Sequence, residues 1–274
     1  MRVAFAAAVA VATCLALAFL LVPIGALFLQ TSPAHLLDEL RSDVTRDALL
    51  VSLKTSLFAH VAVVIVCTPA AWLLARRRFR GRGAVLALVE LPLVLPPAVA
   101  GIALLAAFGR AHLLGKGFDA AGVDLAFTQT AVVLAVAFVE LPFYFRGAIA
   151  AFEAVDGQLL DAARTLGAGP ARVFARVALP LAAAGLGSAS ALALARGLGE
   201  FGATIIFAGS LQGVTQTLPL AIYAQFELDF DSAVAMSVLF VLVGAAILVT
   251  LKLLAGWTNF VSTSRFRAAD STSG

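Results

Sequence analysis

Six long apolar stretches, separated by short polar ones, constrain the fold of this chain more than any other feature. A helix needs about 20 apolar residues to cross the hydrocarbon core of a bilayer, and each stretch is long enough to do so. The sequence therefore predicts an all-α membrane protein with six transmembrane helices. The stretches are at about 3–29, 49–75, 83–108, 125–151, 181–208 and 232–257.

The composition excludes an ordinary soluble domain. Charged residues make up 13% of the chain and the mean hydropathy is +1.01, whereas soluble domains carry about 25% charged residues. We therefore expect a single transmembrane domain over residues 1–258. The remaining residues, 259–274, are rich in Ser and Thr and are expected to form a disordered cytoplasmic tail.

The residues that most often bind metals or perform catalysis show no suggestive pattern. Cys14 and Cys67 both lie in apolar stretches and are expected to be small packing residues. The three histidines are scattered along the chain without the spacing of metal ligands. The sequence accordingly predicts neither a metal site nor a set of catalytic residues.

Basic residues indicate which side of the membrane each loop faces. Five arginines fall within the seven residues Arg76–Arg82, directly after the second apolar stretch. A nucleic-acid patch is the alternative, but this position is typical of a cytoplasmic anchor beside a span. With six spans, thirteen of the nineteen Lys and Arg residues fall on the side of this cluster. Both termini and the loop at 151–180 are therefore predicted to be cytoplasmic.

The segment Asp161–Pro180 is unusually polar for its position between the fourth and fifth spans. Asp156 is a plausible N-cap for a short helix that ends at Gly167 in a left-handed conformation. Pro170 suits the first turn of a second helix. We expect this segment to dock onto something outside the chain, with an interfacial helix on lipid headgroups as the alternative.

The same segment resembles a known family signature. Asp161-Ala162-Ala163, then Gly167 and then Val177–Pro180 match the "EAA…G…I-x-LP" pattern of permease subunits of binding-protein-dependent ABC importers, with Asp for Glu and Val for Ile. The resemblance implies a type I ABC importer permease fold with a cytoplasmic coupling helix between spans 4 and 5. It also implies an ATPase-coupling site at Asp161, Ala162, Ala163, Gly167, Leu179 and Pro180.

The resemblance places ATP hydrolysis elsewhere. The sequence has no G-x-x-x-x-G-K-[ST] motif, so ATP and Mg²⁺ are expected on a separate ATPase subunit and no cofactor is expected in this chain. Residues 197–202 match G-x-G-x-x-G, but they lie within a span rather than in a strand–turn–helix unit. Their glycines are expected to permit close helix packing or a bend.

Arg196 and Glu200 stand four residues apart within the fifth span. Ionisable groups inside a membrane are costly and are often functional, so both are candidates for the translocation path or its gate. The alternative is a structural pair on one helix face. Glu90 and Glu140 also lie within spans.

The stretch that begins at Gly199, GEFGATIIFAGSLQGVTQTLPLAIY, carries a second resemblance, to molybdate and tungstate permeases with sulfate/thiosulfate permeases as close relatives. Gly209–Asp231 is predicted to be a loop, and its Gly209–Pro219 part is interpreted as the external loop after the fifth span. Its polar residues Thr215, Gln216 and Thr217 are candidates to contact an oxyanion or, equally, to shape the loop.

Together these features predict a multi-pass permease of the cytoplasmic membrane that imports a tetrahedral oxyanion, molybdate or tungstate first. The expected partners are two ABC ATPase subunits, an extracytoplasmic oxyanion-binding protein, a second copy of the permease and membrane lipid, with no nucleic acid. A sulfate or thiosulfate permease is the first alternative. A proton-coupled secondary transporter and an intramembrane enzyme that uses Glu90, Glu140 or Glu200 are the others.

Overall fold

The computed structural model of the protein describes residues 2–110, 112–122 and 124–270, and every regular element in these ranges is helical. A five-residue π-helix, Phe174–Ala178, joins the ninth and tenth α-helices. The α-helices are α1 (Arg2–Gln30), α2 (Pro33–Arg41), α3 (Asp43–Arg76), α4 (Arg82–Val94), α5 (Pro97–Phe108), α6 (Gly115–Ala120), α7 (Gln129–Glu153), α8 (Gly157–Thr165), α9 (Pro170–Val173), α10 (Leu179–Leu198), α11 (Gly202–Phe207), α12 (Leu218–Leu228) and α13 (Phe230–Asp270).

The helices match the six predicted spans. Five of them are long and apolar enough to cross a membrane, and α4 and α5, which are bent by 113° at their junction, make a sixth if the pair is counted as one broken span. The bend falls at Leu95 and Pro96, between two helices that each contain a proline near the junction. Proline removes a backbone donor and clashes with the preceding turn, so the three prolines of this span account for the break.

Helix α7 forms the centre of the bundle and packs against α3 and α10. Its buried side chains join those of α3 and α10 in one apolar cluster that also includes Leu160 of α8. Within this cluster the hydroxyls of Thr68 and Tyr144 form a hydrogen bond of 2.7 Å between α3 and α7. The short helix α8 is thus attached to the central packing layer of the membrane domain.

Small residues allow α7 and α10 to approach closely. A Cβ added at Gly147 would lie 2.5 Å from the Cβ of Ala189, and one added at Gly185 would lie 2.6 Å from the Cβ of Ala151. Close approach of backbones at small residues is the usual basis of helix association in membranes, where apolar side chains gain little from leaving lipid. The two contacts also show that α7 and α10 run antiparallel.

Two sequence-based boundaries were wrong. The fifth span was expected at 181–208, but its helix α10 begins at Leu179 and ends at Leu198, and α11 follows as a separate element. The predicted loop at 209–231 contains the helix α12. Leu218, Leu220 and Ala221 of α12 are buried, so this segment is a packed part of the domain rather than a solvated connection.

The last helix, α13, is described to Asp270. The boundary that the sequence analysis drew at 258 therefore does not coincide with a break in the helix. Residues 271–274, the end of the predicted tail, lie outside the described residues.

Candidate functional site

The predicted coupling helix corresponds to α8, and its N-terminus is formed as expected. The carboxylate of Asp156 accepts a hydrogen bond of 2.9 Å from the backbone N–H of Gln158. This bond satisfies one of the backbone donors that a helix leaves unpaired in its first turn.

The C-terminus of α8 forms a Schellman motif at Gly167. The N–H of Gly167 donates to the carbonyl of Arg164, and the N–H of Ala168 donates to the carbonyl of Ala163. Gly167 has a φ of +81°, a conformation that side chains with a Cβ disfavour. Pro170 then begins α9, as predicted.

The two faces of α8 differ sharply. Leu160 is buried in the central cluster and Ala163 packs against it. On the opposite side, Asp161 and Ala162 are exposed, and the Asp161 carboxylate accepts a 2.7 Å hydrogen bond from Arg164. Leu166, at the end of the helix, is 88% exposed. An anchored helix with an exposed face of this kind is suited to contact a separate protein.

The remaining two predicted coupling residues, Leu179 and Pro180, open α10. Pro180 lines a groove of about 290 Å³ together with Leu159 of α8 and Arg176 of the π-helix. The structure thus places all six predicted coupling residues in one region, between the end of α7 and the start of α10.

Two arginines of the basic cluster at 76–82 also stabilise this region, a role that sequence analysis did not predict. The Arg76 guanidinium donates hydrogen bonds to the carbonyls of Phe152 and Val155, at 2.8 and 2.7 Å. Arg82 donates to the Glu153 carboxylate at 2.6 Å. Cations at a helix C-terminus interact favourably with its unpaired carbonyls, so these arginines fix the chain where α7 leads into α8.

The second predicted site lies where α10 ends. The Arg196 guanidinium stands 3.0 Å from Glu200, whose side chain is 1% exposed. The other Glu200 oxygen accepts a 2.8 Å hydrogen bond from the backbone N–H of Ala203 at the start of α11. Arg196 and Glu200 are therefore paired, as the structural interpretation expects, and the pair spans a helix break rather than one continuous helix.

This break contacts the break in the third span. A Cβ added at Gly202 would lie 2.5 Å from the Cβ of Pro97, and one added at Gly101 would lie 2.9 Å from the carbonyl of Ala203. Broken helices inside a membrane expose backbone groups and are tolerated where protein or a water-filled path surrounds them. The α4–α5 and α10–α11 breaks and the Arg196–Glu200 pair therefore form one polar locus within the membrane domain.

The polar residues before α12 are buried rather than solvated. The Thr215 hydroxyl accepts a hydrogen bond of 3.0 Å from the N–H of Leu211, and Gln216 donates to Ser210. Thr217 is the N-cap residue of α12, although its side chain makes no capping bond. Thr215 and Gln216 thus form hydrogen bonds within the turn that leads into α12.

One buried polar pair was not recognised in the sequence as a pair. His60 Nδ1 of α3 and Glu140 Oε1 of α7 form a hydrogen bond, and Glu140 is fully buried. The only signal in the sequence was a lone carboxylate within a span. Among the described residues there is no cluster of His, Cys, Asp or Glu that would hold a metal ion.

Comparison with known proteins assigns the chain to a family. Residues 67–267 match the family described as "binding-protein-dependent transport system inner membrane component". The chain belongs to this family. The match covers the predicted coupling segment and both helix breaks, and so includes both candidate sites.

Relatives of this chain carry more specific names. It is 50% identical over 203 residues to the "Molybdenum transport system permease protein ModB" of Mycobacterium tuberculosis, an alignment that covers 74% of this chain and 77% of the relative. It is 39% identical over 236 residues to a "Probable molybdenum ABC transporter permease protein" of Haloferax volcanii, which covers 85% of each.

Solved structures confirm the predicted ABC importer permease fold. A chain of a bacterial alginate ABC transporter superposes with a TM-score of 0.70 at 16% identity, covering 86% of this chain and 88% of that one. A chain of the MetNI methionine ABC transporter superposes with a TM-score of 0.62 at 17% identity, covering 83% and 99%. At these identities the likeness concerns the fold alone.

Proposed function

We propose that this chain is the transmembrane permease subunit of an ATP-driven importer that moves a tetrahedral oxyanion across the cytoplasmic membrane. Molybdate and tungstate are the favoured substrates. The observation that carries the proposal is the 50% identity, over 203 residues, to a permease named for molybdenum transport. The alignment with the Haloferax relative supports the same substrate class over 85% of the chain.

The coupling role of α8 rests on its geometry. Leu160 anchors the helix, the Schellman motif at Gly167 ends it, and its exposed face carries Asp161, Ala162 and Arg164. An ATPase subunit that contacts this face would move a helix packed on the central cluster, so its motion would reach α7 and α10. ATP and Mg²⁺ would then act on the partner, and this chain would need no cofactor of its own.

The path is proposed to pass the locus formed by the two helix breaks. Arg196 supplies positive charge there and is a third exposed, whereas Glu200 is buried and holds Arg196 in place. A partly exposed guanidinium suits transient contact with an anion, since full neutralisation of the anion would trap it. Glu200 also caps the start of α11, which couples the position of Arg196 to that of the break.

The remaining partners follow from the same function. An importer of this kind requires two ATPase subunits and an extracytoplasmic oxyanion-binding protein, and a second copy of this chain would complete the path. The distribution of the basic residues supports a cytoplasmic position for both termini. A sulfate or thiosulfate permease would share all of these features and differ in the anion.

Uptake measured in a strain that lacks its own molybdate permease tests the proposal. Cells that express this chain with its ATPase and binding protein should accumulate labelled molybdate, and excess tungstate should compete more strongly than excess sulfate. Arg196→Ala should lower uptake several-fold while leaving the affinity of the binding protein unchanged. Competition by sulfate alone would assign the permease to sulfate, and uptake without an ATPase would assign it to secondary transport.

A further inference from the structure

The His60–Glu140 pair lies deep in the bundle and has no part in the proposed function so far. The Glu140 side chain is fully buried and that of His60 is 13% exposed. One Glu140 oxygen bonds His60 Nδ1, whereas the other, Oε2, has no hydrogen-bond partner. A buried polar atom without a partner is uncommon, so the surroundings of Oε2 are informative.

The Oε2 atom faces the end of α10. A Cβ added at Gly197 would lie 2.9 Å from this oxygen and 3.0 Å from Val136 Cγ1. This contact continues the series that joins Ala151 to Gly185 and Gly147 to Ala189, since α7 and α10 run antiparallel. Glu140 thus extends the α7–α10 seam. In the other two contacts a glycine faces an alanine, whereas here Gly197 faces a carboxylate.

Burial makes the bond between His60 and Glu140 important. A lone buried carboxylate costs several kcal/mol, whereas a buried polar pair is tolerated when it is hydrogen-bonded. The bond from His60 Nδ1 supplies the partner for Glu140 Oε1, and the ring of Tyr144 meets His60 edge-on.

We propose that His60 and Glu140 are positioning residues for transport. As a hydrogen-bonded pair, they support α10 at Gly197 and thereby set where Arg196 and Glu200 stand at the helix break. Gly197 directly follows Arg196, so a displacement of α10 at Glu140 is transmitted to the guanidinium. The inference rests on the proposed role of Arg196 and Glu200 in the path.

The test compares Glu140→Gln, Glu140→Leu and the double variant His60→Leu/Glu140→Leu. Gln keeps the shape and donates to a neutral His60, so we expect at least half of wild-type molybdate uptake. Glu140→Leu should lose stability and lower uptake at least ten-fold, because it leaves His60 without its partner. The double variant removes both polar groups and should regain thermal stability but not uptake, since two leucines do not reproduce the support at Gly197.

Glu90→Gln is the matched control. Glu90 occupies the same Val-Glu-Leu-Pro sequence context as Glu140, but it is partly exposed and pairs with Arg146 at 3.3 Å. We expect its uptake to be unchanged. This comparison separates the loss of a membrane carboxylate in general from the loss of the one that faces Gly197.

A second readout does not depend on the substrate. In a background with Cys14→Ser and Cys67→Ser, Gly199→Cys places a thiol at an exposed position with a φ of −83° and ample room. Its maleimide labelling rate should change at least three-fold in the double leucine variant and stay unchanged with Glu90→Gln. If the stable double variant labels and transports like the wild type, the pair is merely structural and the inference is overturned.

The two proposals fail separately. If the wild type takes up no molybdate but the labelling rate still responds to the double variant, the substrate assignment is wrong and the positioning role stands. If the wild type takes up molybdate and neither uptake nor labelling responds, the positioning role is wrong and the substrate assignment stands.

Discussion

Two glycines between α8 and α9 show how a single backbone angle determines what a residue can be. Gly167 has a φ of +81°, and Gly169, two residues later, has a φ of −67°. An added Cβ would meet no atom within 4 Å at either position. The two sites therefore differ in backbone conformation alone, and only Gly167 requires glycine.

This difference predicts unequal effects of the same substitution. Gly167→Ala should destabilise the end of α8 by about 1 kcal/mol, because the left-handed conformation is unfavourable for alanine. Co-purification of the ATPase subunits with the permease should fall several-fold. Gly169→Ala serves as the control and should behave as wild type. Equal yields of the ATPase complex from both variants would show that the conformation of Gly167 does not matter for docking.

At the scale of elements, the helices are arranged by where small residues and breaks occur. Glycine and alanine bring α7 and α10 into close contact, and Gly202 brings the start of α11 against Pro97 of α5. The long apolar helices supply the span, but they do not specify which faces meet, because lipid is as apolar as their side chains. The positions of the small residues supply that specificity.

The α7–α10 seam makes a quantitative prediction. Gly147→Ala adds a methyl group 2.5 Å from the Cβ of Ala189, and overpacking of this kind costs about 1–3 kcal/mol. We expect a lower melting temperature in detergent and partial recovery when Ala189→Gly is added. Gly244→Ala in α13, where nothing lies within 4 Å, is the control. Additive effects of the two seam substitutions would contradict the direct contact.

At the scale of the whole molecule, the chain leaves much of its apolar surface uncovered. Helix α1 packs only lightly on α13, and none of the residues in its most apolar window is buried within the chain. Exposed apolar surface on this scale is stable only against lipid or another transmembrane helix. Membrane insertion therefore completes the structure of the described residues.

The predicted orientation can be checked with two exposed leucines. Leu113, 83% exposed, lies in the connection between spans 3 and 4, and Leu166, 88% exposed, lies at the end of α8. In a background with Cys14→Ser and Cys67→Ser, a membrane-impermeant thiol reagent should label Leu113→Cys in intact cells. It should label Leu166→Cys only after the membrane is opened. The reverse pattern would invert the topology and exclude cytoplasmic contact for α8.

The sequence by itself determined the features that depend on local chemistry. Apolar length predicted the spans, and the cap residues Asp156, Gly167 and Pro170 predicted the ends of α8 and α9. The spacing from Asp161 to Pro180 also identified the family. Each of these properties depends on residues that are close together in the chain, so it can be predicted without knowledge of the tertiary contacts.

Only the tertiary structure decided the features that depend on residues far apart in the chain. His60 and Glu140 are 80 positions apart, Arg76 reaches the end of α7, and the two helix breaks meet through Gly202 and Pro97. The packing of α12 likewise turned a predicted loop into a buried element. The physical reason is the same in each case: inside a membrane the energy of a polar group depends on its partner, and the fold alone selects that partner.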